Sequence, residues 1–281
     1  MSTPVSSLPE LSSPYAVPAG AAESYQRDGH MLLRGVASQA EIAAYRPVIN
    51  AVVDEFRKGL KPLEERDTYG KAFVKIGNLW KKSEAAMKFS IATRFAGIAA
   101  ALMGVPRVRL YHDQALFKEA GGGITPWHQD QYYWPIDTTN TITMWMPLVD
   151  LTPDMGVMKF ASKSHAGGLL GNLAISDKSE EAYDKFVTEK GFPVTGGQAM
   201  AAGDATFHTG WTLHRAPPNT SPKTREVMTI IWYADGAHIP VLDTDGRKGD
   251  VAYIFPGKKT GDLAVSDVTP LVYPQLEPGQ P

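Results

Sequence analysis

Two stretches of this chain combine residue types that can hold a metal ion. Trp127-His128-Gln129-Asp130 sets a histidine and an aspartate two apart, and Leu213-His214-Arg215 adds a distant second histidine. Two histidines and one carboxylate are the set that grips non-haem Fe(II) on one face and leaves its other positions open to O2, water or a cosubstrate. Residues two apart on a strand project the same way, so a strand over 124–134 would let His128 and Asp130 hold one ion. Gln129 and Gln131 would then fall on the opposite face. An isolated H-x-D pair arises often by chance, and a surface strand with a solvated Asp and a core-edge His would read the same.

Arg225 narrows the chemistry. Gly203 to His208 reads as a turn into a strand, Thr212 to Ala216 as another, and Arg225 to Tyr233 as a long one. On this reading His214 and Arg225 occupy neighbouring strands of a hairpin. A buried arginine needs an anionic partner, and a carboxylate gripped by both arms of the guanidinium is the natural one. With a metal beside His214, the far carboxylate of 2-oxoglutarate would fit. A structural salt bridge to an Asp or Glu is the alternative for Arg225 taken alone.

Other residues carry weaker signals. His208 lies six positions before His214, but Gly210 interrupts the run, and a fourth protein ligand would close a site that O2 must enter. We expect His208 to stay off the metal, His112 to be a strand histidine near the site and His165 to fix a turn. His30 and His238 give no signal. Tyr132, Tyr133 and Trp134 follow the candidate ligands directly. Tyr132 and Trp134 are candidate substrate-pocket walls, and Lys75 with Trp80 would fold over the opening. Core packing is the alternative for the aromatics.

Helices precede the β-rich part of the chain. Ser38-Gln39-Ala40-Glu41 is a capping box, and Ile42, Tyr45, Ile49, Val52, Val53 and Phe56 follow at helical spacing. Pro47 lies inside this pattern, which predicts a kink or break. A second helix is expected from Ser83 to Met103, ended by Gly104 and Pro106. From Arg107 the strands 107–118, 124–134, 141–150, 156–161, 198–208, 211–216 and 225–235 alternate with turn residues, as in a sandwich or jelly roll. His30 to Val36 is a further strand. Residues 177–191 read as a helical or mobile insertion. Residues 1–20 read as a loose arm, unless Leu8, Leu11 and Tyr15 anchor it. The tail from about 241 reads as loops.

Composition bounds the rest. The chain has 281 residues, 43% hydrophobic and 21% charged, a length that β-sandwiches and barrels reach as one domain. Net charge of −2 gives no electrostatic footprint for nucleic acid or a membrane surface. With no cysteine, disulfides, thiolate metal sites, Fe–S clusters and cysteine nucleophiles are excluded. No signal-peptide pattern or transmembrane-length apolar run is evident, so a cytoplasmic location is expected.

The ordered motifs resemble the phytanoyl-CoA dioxygenase family of Fe(II)/2-oxoglutarate oxygenases. They are Tyr111 to Lys118 (YHDQALFK), Thr125 to Gln131 (TPWHQDQ), Thr143 to Leu148 (TMWMPL), Gly156 through Ser164-His165, Gly203-Asp204, and His214 with Arg225 eleven positions later. The resemblance covers about residues 20–235. It implies a double-stranded β-helix (jelly roll, cupin-like) with N-terminal helices packed on the major sheet. The organisation would be an arm over 1–20 and a single domain over 21–281, its β core about 107–235. It carries over His128, Asp130 and His214 as iron ligands and Arg225 as partner of the 2-oxoglutarate C5 carboxylate. Trp145 matches a residue lining the cosubstrate pocket, and Thr143 and Gln114 would reach cosubstrate or substrate. Fe(II), 2-oxoglutarate and O2 are the implied cofactors, hydroxylation of a small molecule with release of succinate and CO2 the implied activity. Relatives often place a serine two residues after the distal histidine; here Ala216 removes that contact. Related halogenases replace the carboxylate ligand with a small residue, so Asp130 favours hydroxylation. A non-catalytic binding protein on the same scaffold and a cosubstrate-independent metalloenzyme remain as rivals. Neither the substrate nor the oligomeric state is legible.

Overall fold

The computed structural model describes residues 5–274. In chain order its helices are α1 (Ala21–Asp28), α2 (Gln39–Arg57), α3 (Thr68–Ala72), α4 (Glu84–Ser90), α5 (Thr93–Met103), α6 (Asp177–Lys190) and α7 (Asp245–Ile254). Its strands are β1 (His30–Leu33), β2 (Val74–Gly77), β3 (Val108–Phe117), β4 (Thr125–His128), β5 (Thr141–Pro147), β6 (Lys159–Ala161), β7 (Val194–Gly196), β8 (Ala205–Thr209), β9 (His214–Ala216), β10 (Val227–Ala234) and β11 (Leu271–Tyr273). A seven-stranded sheet runs β1-β8-β5-β10-β3-β11 with β2 also on β3, and a four-stranded sheet runs β4-β9-β6-β7. All pairings between named strands are antiparallel, the jelly-roll arrangement expected from the sequence.

Period-2 alternation splits the large sheet into two chemically distinct faces. One face sends Leu110, Ala115, Ile142, Met144, Phe207, Met228, Ile230 and Trp232 into a core shared with α2, α4 and α5. That face explains the helical spacing of Ile42, Tyr45, Ile49 and Val53, all buried in the same core. The other face carries the residues between. His112, Ile231, Thr143 and His208 form one row across β3, β10, β5 and β8, and Gln114, Thr229, Trp145 and Thr206 form the next. A one-residue slip would exchange these rows for the apolar set, so the hydrophobic pattern fixes which side chains face inward.

Several elements differ from expectation. The β4 strand ends at His128, and Asp130 to Tyr132 form a 3-10 turn. The helix expected over Ser83–Met103 is two, because Ser90 donates to Asp113 Oδ2 at 2.5 Å and the amide of Arg94 turns to Leu11 O at 3.1 Å. Of this most apolar helical window, 61% is buried inside the protein. Helix α2 continues through Pro47 as one element. Leu8 and Leu11 are buried in the main core, Tyr45 donates to Pro9 O at 2.7 Å and Tyr15 to Arg34 O at 2.9 Å, so residues 8–15 are anchored. Residues 1–4 of the arm and 275–281 of the tail lie outside the described residues. Within the tail, α7 and β11 replace the expected loops. Residues 177–190 are helix α6, opened by a Ser176 capping box.

Gly203 shows how tightly the sheet edge is packed. Its φ is +89°, and a Cβ there would lie 2.1 Å from Ala37 O. The next residue, Asp204, accepts from the amides of Gly35 and Ala201 and from Arg34. Gly203→Ala is expected to destabilise the fold by more than about 1 kcal/mol, through both strain and the clash. Urea unfolding monitored by circular dichroism measures it; an unchanged midpoint would contradict this account.

Candidate metal centre and its cavity

The two histidines come from paired strands. His128 and His214 are direct register partners on β4 and β9, with ring centroids 4.1 Å apart. The pairing slips between Thr125 and His128, a bulge of the kind that re-aims side chains beside active sites. Asp130 lies past the strand end, yet Gln129 is itself extended (φ −116°, ψ 125°). The alternation therefore carries through one more residue and returns Asp130 to the side of His128. Gln129 points the other way, donating to Gly168 O and Trp211 O and accepting from the Leu170 amide.

The ring nitrogens have distinct partners. His128 Nδ1 lies 2.7 Å from Pro126 O and His214 Nδ1 2.9 Å from Thr212 O. A carbonyl only accepts, so each Nδ1 carries the proton and each Nε2 keeps a free lone pair. Those Nε2 atoms stand 3.6 and 3.7 Å from Asp130 Oδ1. These separations exceed ordinary hydrogen-bond length. The three donor groups lie within 4.8 Å of one another, so a single ion fits them all. Fixing the far nitrogen on a carbonyl is how metal-binding histidines are oriented.

The other carboxylate oxygen is held separately. Asp130 Oδ2 accepts from Thr143 Oγ1 at 3.2 Å and lies 3.4 Å from His208 Nε2. Thr143 and His208 are register partners on β5 and β8, so one row of the sheet presents two groups to one oxygen. Burial pushes the Asp130 carboxyl up, but His214, His128 and His208 hold it well below the usual carboxylate range. Burial, and then His128, keep His214 well below the ordinary imidazole value, which leaves it neutral and able to ligate. His208 thus touches the carboxylate ligand, which the sequence reading did not foresee.

Arg225 lies in a different setting from the expected hairpin. His214 is in the small sheet, whereas Arg225 bridges to Lys118 and leads into β10 of the large one. The loop from 217 to 224 crosses between sheets, so the two residues meet across the cavity. Arg225 is buried, donates to Gly156 O and places its guanidinium 5.3 Å over the Trp145 ring. Its Nε has no partner, and no carboxylate of the described residues forms a salt bridge with it. Burial pulls its pKa down to about 9. The structural salt bridge considered from sequence is therefore absent among the described residues. Beside it, Lys118 is buried, donates to Gly123 O and lies 3.3 Å from Thr125 Oγ1. Burial and then the nearby Arg225 bring Lys118 down to about 6.

A cavity of about 640 Å³ joins these groups. It is lined by His128, Asp130, His214, Arg225, Trp145, Thr143 and Gln114, all sites expected from the sequence. Lys75 and Trp134 also line it; Trp134 packs on Tyr111 with centroids 5.4 Å apart. Tyr132 does not line the cavity. It is buried, and its carbonyl accepts from Thr244 Oγ1, while Tyr133 takes the place at the wall. Trp80 is also absent from the cavity; its amide donates to Asp113 and its ring packs on the main core. Sequence reasoning missed Thr125, Asn78 and Asp250 on the wall, and Lys118 packed behind it beside Arg225. The signal for Lys118 was present: it continues the inward series 112, 114, 116 along β3. Thr125, opposite Ala216, brings a hydroxyl to the cavity on the strand facing the one that lacks the serine.

Helix α6 secures the ligand strands from outside. Glu180 accepts from the Trp127 amide at 2.7 Å and from Arg215 at 2.6 Å, and Asp184 accepts from Trp127 Nε1 at 3.1 Å. Trp127 and Arg215 are the neighbours of His128 and His214.

Known proteins place the chain. The family model described as phytanoyl-CoA dioxygenase (PhyH) matches residues 25–227. The methylphosphonate hydroxylase of Gimesia maris is 29% identical over 136 residues, 48% of this chain and 49% of that protein. The probable alpha-ketoglutarate-dependent hypophosphite dioxygenase of Stutzerimonas stutzeri is 26% identical over 146 residues, 51% and 50% of the two chains. The matched region thus spans about half the length of these curated relatives. The epimerase SnoN from nogalamycin biosynthesis, solved with Fe3+, alpha ketoglutarate and nogalamycin RO, has the same fold. The TM-score is 0.69 at 24% identity, covering 90% of this chain and 97% of that one.

The geometry around Asp130 predicts that Oδ2 support matters for metal affinity. His208→Phe keeps a ring but loses the donor, and Thr143→Val loses the hydroxyl at similar volume. Each is expected to weaken Fe(II) or Mn(II) binding about tenfold, as outer-shell partners do. Anaerobic calorimetric titration reads this; wild-type affinity in both variants would sink it.

Proposed function

The chain belongs to the phytanoyl-CoA dioxygenase family, and from that premise we propose that it is an Fe(II)- and 2-oxoglutarate-dependent dioxygenase that hydroxylates a small organic molecule. The observation that carries the cosubstrate assignment is Arg225, a buried guanidinium with no acidic partner among the described residues, in the same cavity as the triad. A buried charge without a counter-ion is costly, and a bound dicarboxylate removes that cost. In this reading His128, Asp130 and His214 hold the iron. Arg225 takes the C5 carboxylate, with Lys118 and Thr125 beside it, and the Trp145 ring forms the adjoining wall.

Bound iron supplies the oxidation itself, converting 2-oxoglutarate and O2 to succinate and CO2 with one oxygen atom left on the substrate. The protein's part is positional. The Nδ1 contacts to Pro126 O and Thr212 O fix both rings before any ligand arrives. Thr143 and His208 hold Oδ2, so Asp130 is set to ligate through Oδ1 alone, which keeps a position open. Retention of Asp130 favours hydroxylation over halogenation. The curated relatives are named for small phosphorus anions; the cavity of about 640 Å³ here has to hold both 2-oxoglutarate and the substrate.

Purified protein with Fe(II), 2-oxoglutarate and O2 is expected to release succinate, slowly without substrate and faster with it. His128→Ala and Asp130→Ala should abolish release, and Arg225→Met should raise the 2-oxoglutarate KM at least tenfold. Failure of the wild-type protein to bind iron or 2-oxoglutarate overturns the reading.

A pH signature follows from Lys118. With a pKa of about 6 in its buried place beside Arg225 it is mostly neutral at pH 7.5. A carboxylate placed beside it raises that value, so binding takes up a proton between pH 6 and the higher pKa of the complex. Calorimetry in buffers of different ionisation enthalpy should show an uptake approaching one proton, lost in Lys118→Met. Uptake of the same size in Lys118→Met would contradict this assignment.

A further inference from the structure

The cavity has a second polar end, across the large sheet from the triad. Strand β2 carries Lys75 and Gly77 and is followed by Asn78; it pairs with β3, two strands away from β5 and its Thr143. Adjacent strands are ~4.8 Å apart, so β2 lies about 14 Å across the sheet from β5, and His112 on β3 about 10 Å. Helix α7 brings Asp250, Tyr253 and Ile254 to this end, where Lys75 and Tyr253 are exposed. A molecule that reaches these residues while a C–H bond lies at the iron has to be elongated.

The polar groups there have a definite chemistry. Asn78 is 6% exposed, and its Nδ2 donates to Tyr253 OH at 3.0 Å. Its Oδ1 is buried without a partner, an acceptor waiting for an N–H or O–H. Asp250 accepts from Tyr111 OH at 2.8 Å. As a cavity-lining carboxyl it also accepts readily. Lys75 supplies an ammonium group close enough to act electrostatically on both His112 and Asp250. His112 stays neutral, so it adds hydrogen bonding without charge; burial and then Lys75 bring it down to about 3.

We propose that this end of the cavity is a head-group subsite, and that the substrate is an elongated molecule whose far end joins an acidic oxygen to a neighbouring N–H or O–H donor, as an amino acid or hydroxy acid does. The acid faces Lys75, and the donor faces Asn78 Oδ1 and Asp250. The body of the molecule runs along His112 and Ile231, past Tyr133 and Trp134, toward the iron. This rests on the oxygenase reading above and adds the substrate class.

The test uses full-length protein loaded anaerobically with Fe(II) and 2-oxoglutarate, titrated calorimetrically. The probes are ω-phenyl α-amino acids with one, two and three side-chain methylenes, their methyl esters, the matching deaminated acids, and methylphosphonate. Affinity should rise with length. The longest amino acid should bind at least tenfold tighter than methylphosphonate, its ester or its deaminated form. Lys75→Met should erase the preference for acid over ester. Asn78→Gly, which suits the positive φ of 54° at that position, should erase the preference for amino over deaminated acid. Methylphosphonate binding as tightly as the longest probe, no binding by any amino acid, or wild-type discrimination in both variants overturns the proposal. Binding of 2-oxoglutarate is read on the same samples. Its loss in wild type refutes the oxygenase reading, whereas intact cosubstrate binding with no probe discrimination refutes only the head-group subsite.

Discussion

An ionised carboxylate enclosed by imidazoles is the constraint around which this structure is arranged. Asp130 has to stay charged in a setting where burial works against charge, and only neighbours that donate or attract can keep it so. Those neighbours come from both sheets: His128 and His214 from the small one, Thr143 and His208 from the large one. The sheets must therefore approach closely at this end, with both registers correct. The slip in β4, the extended Gln129 and the inward row of the large sheet all serve that single convergence.

The other charged groups give the cavity a polarity. Asp130 lies on one side and the Arg225 guanidinium on another, with the mostly neutral Lys118 packed behind it. A ligand with one anionic tail and one end able to join a metal can lie in only one direction along this field. Direction is thus set before contact is complete, by charges fixed on rigid strands rather than by a mobile loop. The same logic explains why a buried lysine is tolerated: its neutral form costs little until an anion arrives to charge it.

Much of this was legible in the sequence, for identifiable reasons. His128, His214 and Trp145 are readable because each stands in a strand, while Asp130 follows through the extended Gln129 and Arg225 lies just ahead of β10. The apolar partners of those strands specify the helix-covered face equally well. What was not legible depended on partners distant in sequence. His208 was set aside because Gly210 breaks the run toward His214, but its relevance comes from β5, where it stands opposite Thr143. The placement of His214 and Arg225 in different sheets could not be told from a short hairpin by local pattern, since both give strand, loop, strand. Tyr132 and Tyr133 differ by one position at the end of a 3-10 turn, where no two-residue period tells which of them reaches the cavity. The break between α4 and α5 has no local signal either, because Asp113, which takes the Ser90 hydroxyl, lies on a later strand.

Helix α6 also has a bearing on how the molecule behaves among its own copies. β4 is an edge strand of the small sheet. An edge with free amides is a template on which another chain can add a strand. The Glu180 carboxylate takes the amide of Trp127, and Asp184 takes the indole N–H of the same residue. The edge that carries a metal ligand is thereby closed by charge and by the bulk of a helix. An insertion that reads as a detour between strands thus doubles as a guard against self-association, so loss of its acidic face would show first as aggregation.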